Sequence, residues 1–363
     1  MAASPGLEPL VVSSRQGPYE LRFVADAGAE LAASLAGTHL LVDRRVAQAH
    51  PKKLAVALAY PSVLLIDATE DAKSLERMPA YVGHLLSKGV RRGQTLTAVG
   101  GGIVQDIACF LAATLLRGID WRFAPTTLLA MSDSAIGSKS SINCGGAKNI
   151  LGTFTPPKAI WTDLSFLDTL DEKDVRSGIG EMLKVHAIEG PEAFDRIAVA
   201  YASLAADRAA LARFLRDSLE YKKKLVEADE FDRGPRLVMN YGHSFGHAIE
   251  AATAFVVPHG IAVTIGMDLA NFAAARLGLG RAEHYRRMRP ALAANWRGFE
   301  STCVPLEPFL AALGKDKKNT ATKLGLILPG PDGRIRRFEV ANDDAFRAAC
   351  AEYLAKGRRE VLA

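Results

Sequence analysis

A chain of 363 residues, 49% hydrophobic and 23% charged, has the make-up of an ordinary soluble globular protein, with apolar material for two cores. Its formal charge of +5 suits an anionic partner, but no run of Lys or Arg is long enough for a nucleic-acid arm, and no apolar run approaches the ~20 residues that cross a bilayer. Neither nucleic acid nor membrane is therefore an expected partner. Four scattered cysteines offer no disulfide framework and no thiolate metal site, which fits a reducing cytoplasm.

The first twenty residues carry Pro5, Pro9 and Pro18 and no signal-peptide core. Apolar runs over 39–43 and 62–67 predict strands, and 74–88 has helical spacing. A strand over 96–99 runs straight into Gly100-Gly101-Gly102, a helix follows over 103–116, and a strand over 121–124 is stopped by Pro125. This alternation argues for a parallel α/β sheet. After Pro156-Pro157 long helical patterns dominate, as over 206–229 and 259–277. The expected architecture is an N-terminal Rossmann-like α/β nucleotide-binding domain (1–157) and a mainly α-helical domain (158–363) that binds metal and substrate.

Gly100-Gly101-Gly102, between strand and helix, lets backbone approach a pyrophosphate, and the helix N-terminus supplies free N–H groups. It is not the G-x-G-x-x-G fingerprint, and taken alone it reads equally as a tight turn. Glu70 and Lys73 alone read as a surface helix pair, and Thr126-Thr127 as a helix cap.

The segment Asn240-Tyr-Gly-His243-Ser-Phe-Gly-His247-Ala-Ile-Glu250 is the most informative. His243 and His247 share a helical face at a spacing that can hold a metal, without the acidic residue of a zinc protease. His259 follows, and Glu181 and Lys184 share another helical face. Two or three histidines plus one carboxylate would make a catalytic zinc site with an open position. Gly242-His-Ser-Phe-Gly246 also matches the G-x-S-x-G nucleophile elbow, but the strand and oxyanion loop that an elbow needs are not evident. Asp133, Ser134, Lys139, Asn143, Lys148 and Asn149 crowd one glycine-punctuated stretch, and Lys184, Lys222, Arg236 and Lys317 lie further on. Such cations suit a dianionic, hydroxylated ligand if they converge, and spacing does not decide that.

Together these motifs resemble the 3-dehydroquinate synthase family of sugar phosphate cyclases. The resemblance is carried by Gly100-Gly-Gly-Ile-Val-Gln-Asp106, Leu116-Arg117-Gly118, Pro125-Thr-Thr-Leu-Leu-Ala130 and Asp133-Ser-Ala-Ile-Gly-Ser-Lys139. Gly146-Ala-Lys148-Asn149, Gly178-Ile-Gly-Glu181-Met-Leu-Lys184, the His243 segment, His259-Gly260 and Asp316-Lys317-Lys318 complete it, over roughly residues 40 to 330. It implies a dehydroquinate synthase-like fold, with NAD and a divalent metal, usually zinc and sometimes cobalt, as cofactors. By the same resemblance Glu181, His243 and His259 are metal ligands, and His247 contacts substrate instead. Asp43, Glu70, Lys73, Gly101, Gly102, Asp106, Thr126, Thr127, Lys148 and Thr169 match positions that hold NAD. Lys139, Asn149, Lys184, Lys222, Arg236, Asn240, His247 and Lys317 match substrate-binding positions, and Asp133 matches a residue between cofactor and substrate. Arg117 matches an arginine that reaches the phosphate in the neighbouring subunit, which implies a homodimer. The implied reaction oxidises a ring hydroxyl with NAD, expels phosphate, returns the hydride and closes a carbocycle, with no net oxidation.

The chain departs from members that act on 3-deoxy-D-arabino-heptulosonate 7-phosphate (DAHP). It has Gly137-Ser138-Lys139 for Gly-Gly-Lys, Gly145-Gly146-Ala147 for Pro-Leu-Gly, Ile261 for Glu, and Gln105 for a common glycine. Arg236, matching the DAHP carboxylate arginine, is retained, whereas cyclases of uncharged-head sugars tend to lose it. DAHP is the expected substrate. A valiolone-type cyclase of sedoheptulose 7-phosphate is the alternative. A metal-dependent alcohol or glycerol dehydrogenase is a third reading, which would not need the lysines. A degenerate binding module is disfavoured by the full metal and lysine set.

Overall fold

Continuous apolar runs become the strands of one sheet. They are β1 (Leu10–Val12), β2 (Tyr19–Phe23), β3 (Thr38–Asp43), β4 (Val63–Ile66), β5 (Thr95–Gly100), β6 (Asp120–Pro125) and, beyond a hairpin of β7 (Lys139–Cys144) and β8 (Ala147–Phe154), β9 (Ala159–Thr162). The sheet runs β1-β2-β9-β6-β5-β3-β4 and is parallel at every pairing except β1–β2. β3 is buried along all but its last residue and β5 along all but its first, the pattern of strands covered on both faces. The connections use α1 (Ala27–Ala33), α2 (Arg44–Ala49), α3 (Ala55–Leu58), α4 (Met78–Ser87) and α5 (Gly102–Thr114).

β4 lies on one side of β3 while β5, β6 and β9 lie on the other, so the chain changes direction between β3 and β5. The crevice beyond the carboxyl ends of such a pair is where open parallel sheets take ligands. Asp43 ends β3, and the glycine turn follows β5.

The computed structural model describes residues 7–314 and 322–357, and these fall into two units. The first runs to Asp171 and includes Lys222–Phe231; the second comprises Glu172–Tyr221 and the chain from Asp232. The boundary thus differs from the expected 157/158. β9 pairs with both β2 and β6, so the sheet is incomplete without it. Residues 222–231 belong to the first unit because Glu227 accepts from Ser13 N, Glu230 accepts from Arg15 N, and Phe231 meets Phe154 edge-on. The helix expected over 74–88 starts only at Met78, because Ser74 is extended and bridges Asn143. The helix expected over 103–116 ends at Thr114, where Leu116 and Arg117 turn left-handed.

The second unit is helical, with α6 (Glu172–Glu189), α7 (Pro191–Leu204), α8 (Arg208–Ala228, from Lys222 on in the first unit), α9 (His243–Ala252), α10 (His259–Arg276), α11 (Ala282–Asn295), α12 (Leu306–Gly314) and α13 (Asp344–Glu352). An antiparallel hairpin, β10 (Lys323–Pro329) and β11 (Ile335–Ala341), was not expected there. α10 is buried from Gly260 to Asn271 and packs against α6, α9 and α11, as a central helix that is apolar all round must. No helix among the described residues is long and apolar enough to cross a membrane.

One buried group on α11 sets a pH dependence. His284 accepts from Arg287 at 3.1 Å, and its Nε2 has no partner. Burial, then the Arg287 charge, pushes it down to about 4. Between that value and the ordinary 6.5 the unfolded chain binds the extra proton, so stability is full above 6.5 and falls as pH drops. Relative to His284→Gln, the wild type is expected to lose about 2 kcal/mol of unfolding free energy between pH ~7.5 and pH ~5 in urea titrations. Equal losses in the two proteins would refute this.

Candidate functional site

In the first unit, Gly100-Gly101-Gly102 brings the N-terminus of α5 to the crevice, with no side chain capping its first turn. A Cβ on Gly101 would stand 3.1 Å from Thr127 Cγ2, whereas one on Gly102 would face open space. The Thr126 hydroxyl is buried without a partner. Asp43 caps α2 by accepting from Arg45 N at 2.8 Å, and burial raises its pKa. Bare N–H groups, a cradle without side chains and an orphaned hydroxyl fit a dinucleotide whose pyrophosphate sits at a helix N-terminus.

Glu70, Lys73, Asp106 and Asn149 come together. The buried Lys73 ammonium donates to Asp106 Oδ2 at 3.0 Å and to Asn149 Oδ1 at 2.9 Å, with Glu70 Oε1 3.8 Å away. Burial pushes the Asp106 carboxyl up, and Lys73 offsets part of that. Asp133 and Lys222 also meet: Lys222 Nζ lies 2.9 Å from Asp133 Oδ1 and donates to its carbonyl as well. Lys139 opens β7 and Lys148 stands on β8, both exposed. Thr169 ends the 3-10 turn Leu164–Thr169, where its hydroxyl meets His50 Nε2 at 2.8 Å. Arg117 is exposed in a left-handed conformation (φ 70°).

Two departures from the resembled pattern have physical accounts. Gln105 is buried and exchanges two hydrogen bonds with Ser134, donating to its carbonyl at 2.6 Å and accepting from its hydroxyl at 2.5 Å, which fixes the turn carrying Asp133. Ser138 stands in the left-handed region (φ 63°) that favours glycine, and its hydroxyl donates to Glu230 at 3.3 Å.

The second unit gathers Glu181, Lys184, His243, His247 and His259. Its geometry begins with glycine. α6 and α10 cross so closely that a Cβ on Gly180 would lie 2.3 Å from Gly260 O, and one on Gly260 would lie 1.9 Å from Ser177 O. This crossing brings Glu181, next to Gly180, beside His259, next to Gly260. Glu181 Oε1 is 3.6 Å from both His243 Nε2 and His259 Nε2, and the buried Lys184 ammonium is 2.6 Å from Oε2.

The imidazole tautomers follow from their outer contacts. His243 Nδ1 faces Tyr241 O at 3.3 Å, and His259 Nδ1 faces Glu250 Oε2 at 3.2 Å. Both acceptors require Nδ1–H, so as neutral imidazoles, the form that binds metal, both rings present an Nε2 lone pair toward the carboxylate. Two lone pairs and a buried anion repel one another unless a cation lies among them. Ligands ~2.1 Å from a tetrahedral ion stand roughly 3.4 Å apart, close to the spacing seen. The ligand atoms of His243, His247 and His259 also lie within 4.8 Å of one another, with the His247 ring the most exposed. The donor set, three histidines with the Glu181 carboxylate beside two of them, fits a divalent metal.

Arg236, buried, and Asn240 stand on the 3-10 turn Pro235–Asn240 just before α9. That turn, rather than a strand, precedes Gly242-His-Ser-Phe-Gly246, so the nucleophile elbow is excluded. Lys317 lies outside the described residues. The sequence analysis gives no role to Glu250, three residues beyond His247 on α9, although a carboxylate one turn from a clustered histidine is a usable signal.

A family model described as 3-dehydroquinate synthase N-terminal matches residues 63–177, and one described as 3-dehydroquinate synthase C-terminal matches residues 178–319. A 3-dehydroquinate synthase of Xanthomonas oryzae pv. oryzae is 36% identical over 346 residues, covering 90% of this chain and 91% of the relative. One from Xylella fastidiosa is 38% identical over 315 residues, covering 82% and 85%. Among solved structures, a 2-epi-5-epi-valiolone synthase from Streptomyces hygroscopicus, with NAD+ and Zn2+ bound, is similar with a TM-score of 0.82 at 29% identity, covering 93% of this chain and 97% of that one.

Proposed function

Because this chain belongs to the 3-dehydroquinate synthase family, we propose that it converts DAHP to 3-dehydroquinate with loss of phosphate, using NAD and a divalent metal, zinc or cobalt. The observation that carries the proposal is Glu181 Oε1 standing 3.6 Å from two histidine Nε2 atoms whose other nitrogens are already engaged.

In this reading Glu181, His243 and His259 hold the metal. Asp43, Glu70, Lys73, Gly101, Gly102, Asp106, Thr126, Thr127, Lys148 and Thr169 hold NAD. Bound there, NAD would supply a hydride acceptor and donor, and the metal would ease deprotonation of a ring hydroxyl. Lys184 places a fixed positive charge beside the metal carboxylate, where charge that develops on a substrate oxygen is stabilised without reorganisation. Lys139, Asn149, Lys222, Asn240, His247 and Lys317 bind the substrate's phosphate and hydroxyls, and Asp133 orients Lys222. The planar Arg236 guanidinium offers a bidentate match to the carboxylate of DAHP. Arg117 serves a partner subunit's site in a homodimer. Four free thiols suit the cytoplasm.

Arg236 separates DAHP from a substrate with no carboxylate. Arg236→Ala is expected to lower kcat/KM for DAHP by about 10–100-fold, the worth of a lost charge-assisted contact, while any turnover of sedoheptulose 7-phosphate changes little. Equal losses on both would take the carboxylate role away from Arg236. Phosphate release accompanied by accumulating NADH would instead favour a dehydrogenase.

A further inference from the structure

We propose that Asn143 is a positioning residue that builds the bulge presenting Lys148 and Asn149 and ties it to Glu70, so that cofactor and substrate contacts of the first unit are set by one amide. The inference rests on the roles proposed above.

The β7–β8 ladder pairs Ile142 with Leu151 and Cys144 with Ala147, so Asn143 alone stands opposite Lys148, Asn149 and Ile150. The turn itself is the two-residue Gly145-Gly146 loop, both at positive φ (56° and 79°), which closes a tight hairpin. The surplus residues are therefore a bulge in the strand and not part of the loop. Bulges break the backbone ladder and re-aim side chains, and their free N–H groups need another acceptor. Here Asn143 Oδ1 accepts from Asn149 N at 2.9 Å, and Asn149 is held left-handed (φ 54°).

The other end of the amide faces the cofactor side. Asn143 Nδ2 donates to Glu70 Oε1 at 2.9 Å and to Glu70 O at 3.1 Å. The flipped amide would set Nδ2 against an N–H and Oδ1 against two oxygens, so its orientation is fixed. A ring then closes: Asn149 Oδ1 receives Lys73, Lys73 pairs with Asp106, and Asp106 Oδ1 accepts from Ser141 N at 3.1 Å, two residues from Asn143. Aspartate in place of Asn143 would keep the acceptor for Asn149 but set a carboxylate against Glu70. Alanine would release both ends.

The test uses the full-length, zinc-loaded protein and measures NAD affinity by calorimetry, together with KM and kcat for DAHP. Asn143→Asp is expected to raise the NAD Kd about tenfold or more while changing the KM for DAHP much less, and Asn143→Ala is expected to raise both. A purely structural role would lower the unfolding midpoint and leave these constants alone. Folded variants with an NAD Kd and a KM within twofold of wild type would overturn this inference alone. A wild type with no affinity for NAD would overturn the cyclase reading, and this inference with it.

Discussion

Gly260→Ala is expected to destabilise the second unit by about 3 kcal/mol and to weaken metal binding at least tenfold, overpacking being costly where backbone cannot yield. The added Cβ would sit 1.9 Å from Ser177 O and 2.6 Å from Ser177 C, main-chain atoms of α6 that cannot rotate away. Relief requires α6 and α10 to separate by on the order of 1 Å. Separation would also break the 2.9 Å bond from Gly260 N to Ser177 Oγ. It would carry His259 away from Glu181, whose 3.6 Å spacing suits a shared ion. Gly83→Ala is the matching control. Gly83 sits exposed within α4 with nothing within 4 Å of its Cβ, so alanine there should stabilise by about 0.5–1 kcal/mol. Urea unfolding with and without zinc reads both effects. A Gly260→Ala protein within 0.5 kcal/mol of wild type, with unaltered zinc affinity, would mean the crossing is not what sets the ligands.

Lys184→Ala is expected to lower turnover by about 10²–10³-fold, the usual cost of removing one preorganised charge donor from a site, while one zinc per chain is retained. The lysine is 1% exposed, and its ammonium lies 2.6 Å from Glu181 Oε2. The His243 and His259 tautomers are set by Tyr241 O and Glu250, and Lys184 meets Glu181 Oε2 rather than the Oε1 proposed as ligand. Arginine should not rescue, because the longer, planar head has no room in a side-chain position this buried. Zinc content and phosphate-release kinetics on one preparation separate the outcomes. Loss of zinc would make Lys184 a support for Glu181. Turnover within tenfold of wild type would remove it from the chemistry.

What was legible in the chain follows from how local each signal was. β5, the glycine turn and α5 are contiguous, so period and turn chemistry located them to within a residue or two. His243 and His247 are four apart on one helix and announce a shared face. Glu181 belongs to a different helix, and the sequence offers it only as a carboxylate sharing a face with Lys184; its choice as a ligand with His243 and His259, in place of His247, comes from the family resemblance. Nothing local marks the Gly180–Gly260 crossing, since a glycine inside a helix reads first as a weakness. The β7–β8 bulge was hidden for a similar reason: register is decided by pairing, and Asn143 looked like one polar residue among several. The short edge pair β1–β2 and the late hairpin β10–β11 were missed as well. Pro329-Gly-Pro-Asp-Gly333 is a usable turn signal for that hairpin.

The most direct measurement is phosphate release from purified, zinc-loaded protein with NAD, offered DAHP and sedoheptulose 7-phosphate side by side while absorbance tracks NADH. Rapid release from DAHP is expected, with a carbocyclic product and no accumulation of NADH. Release from sedoheptulose 7-phosphate alone, or release from neither, would contradict the proposed conversion.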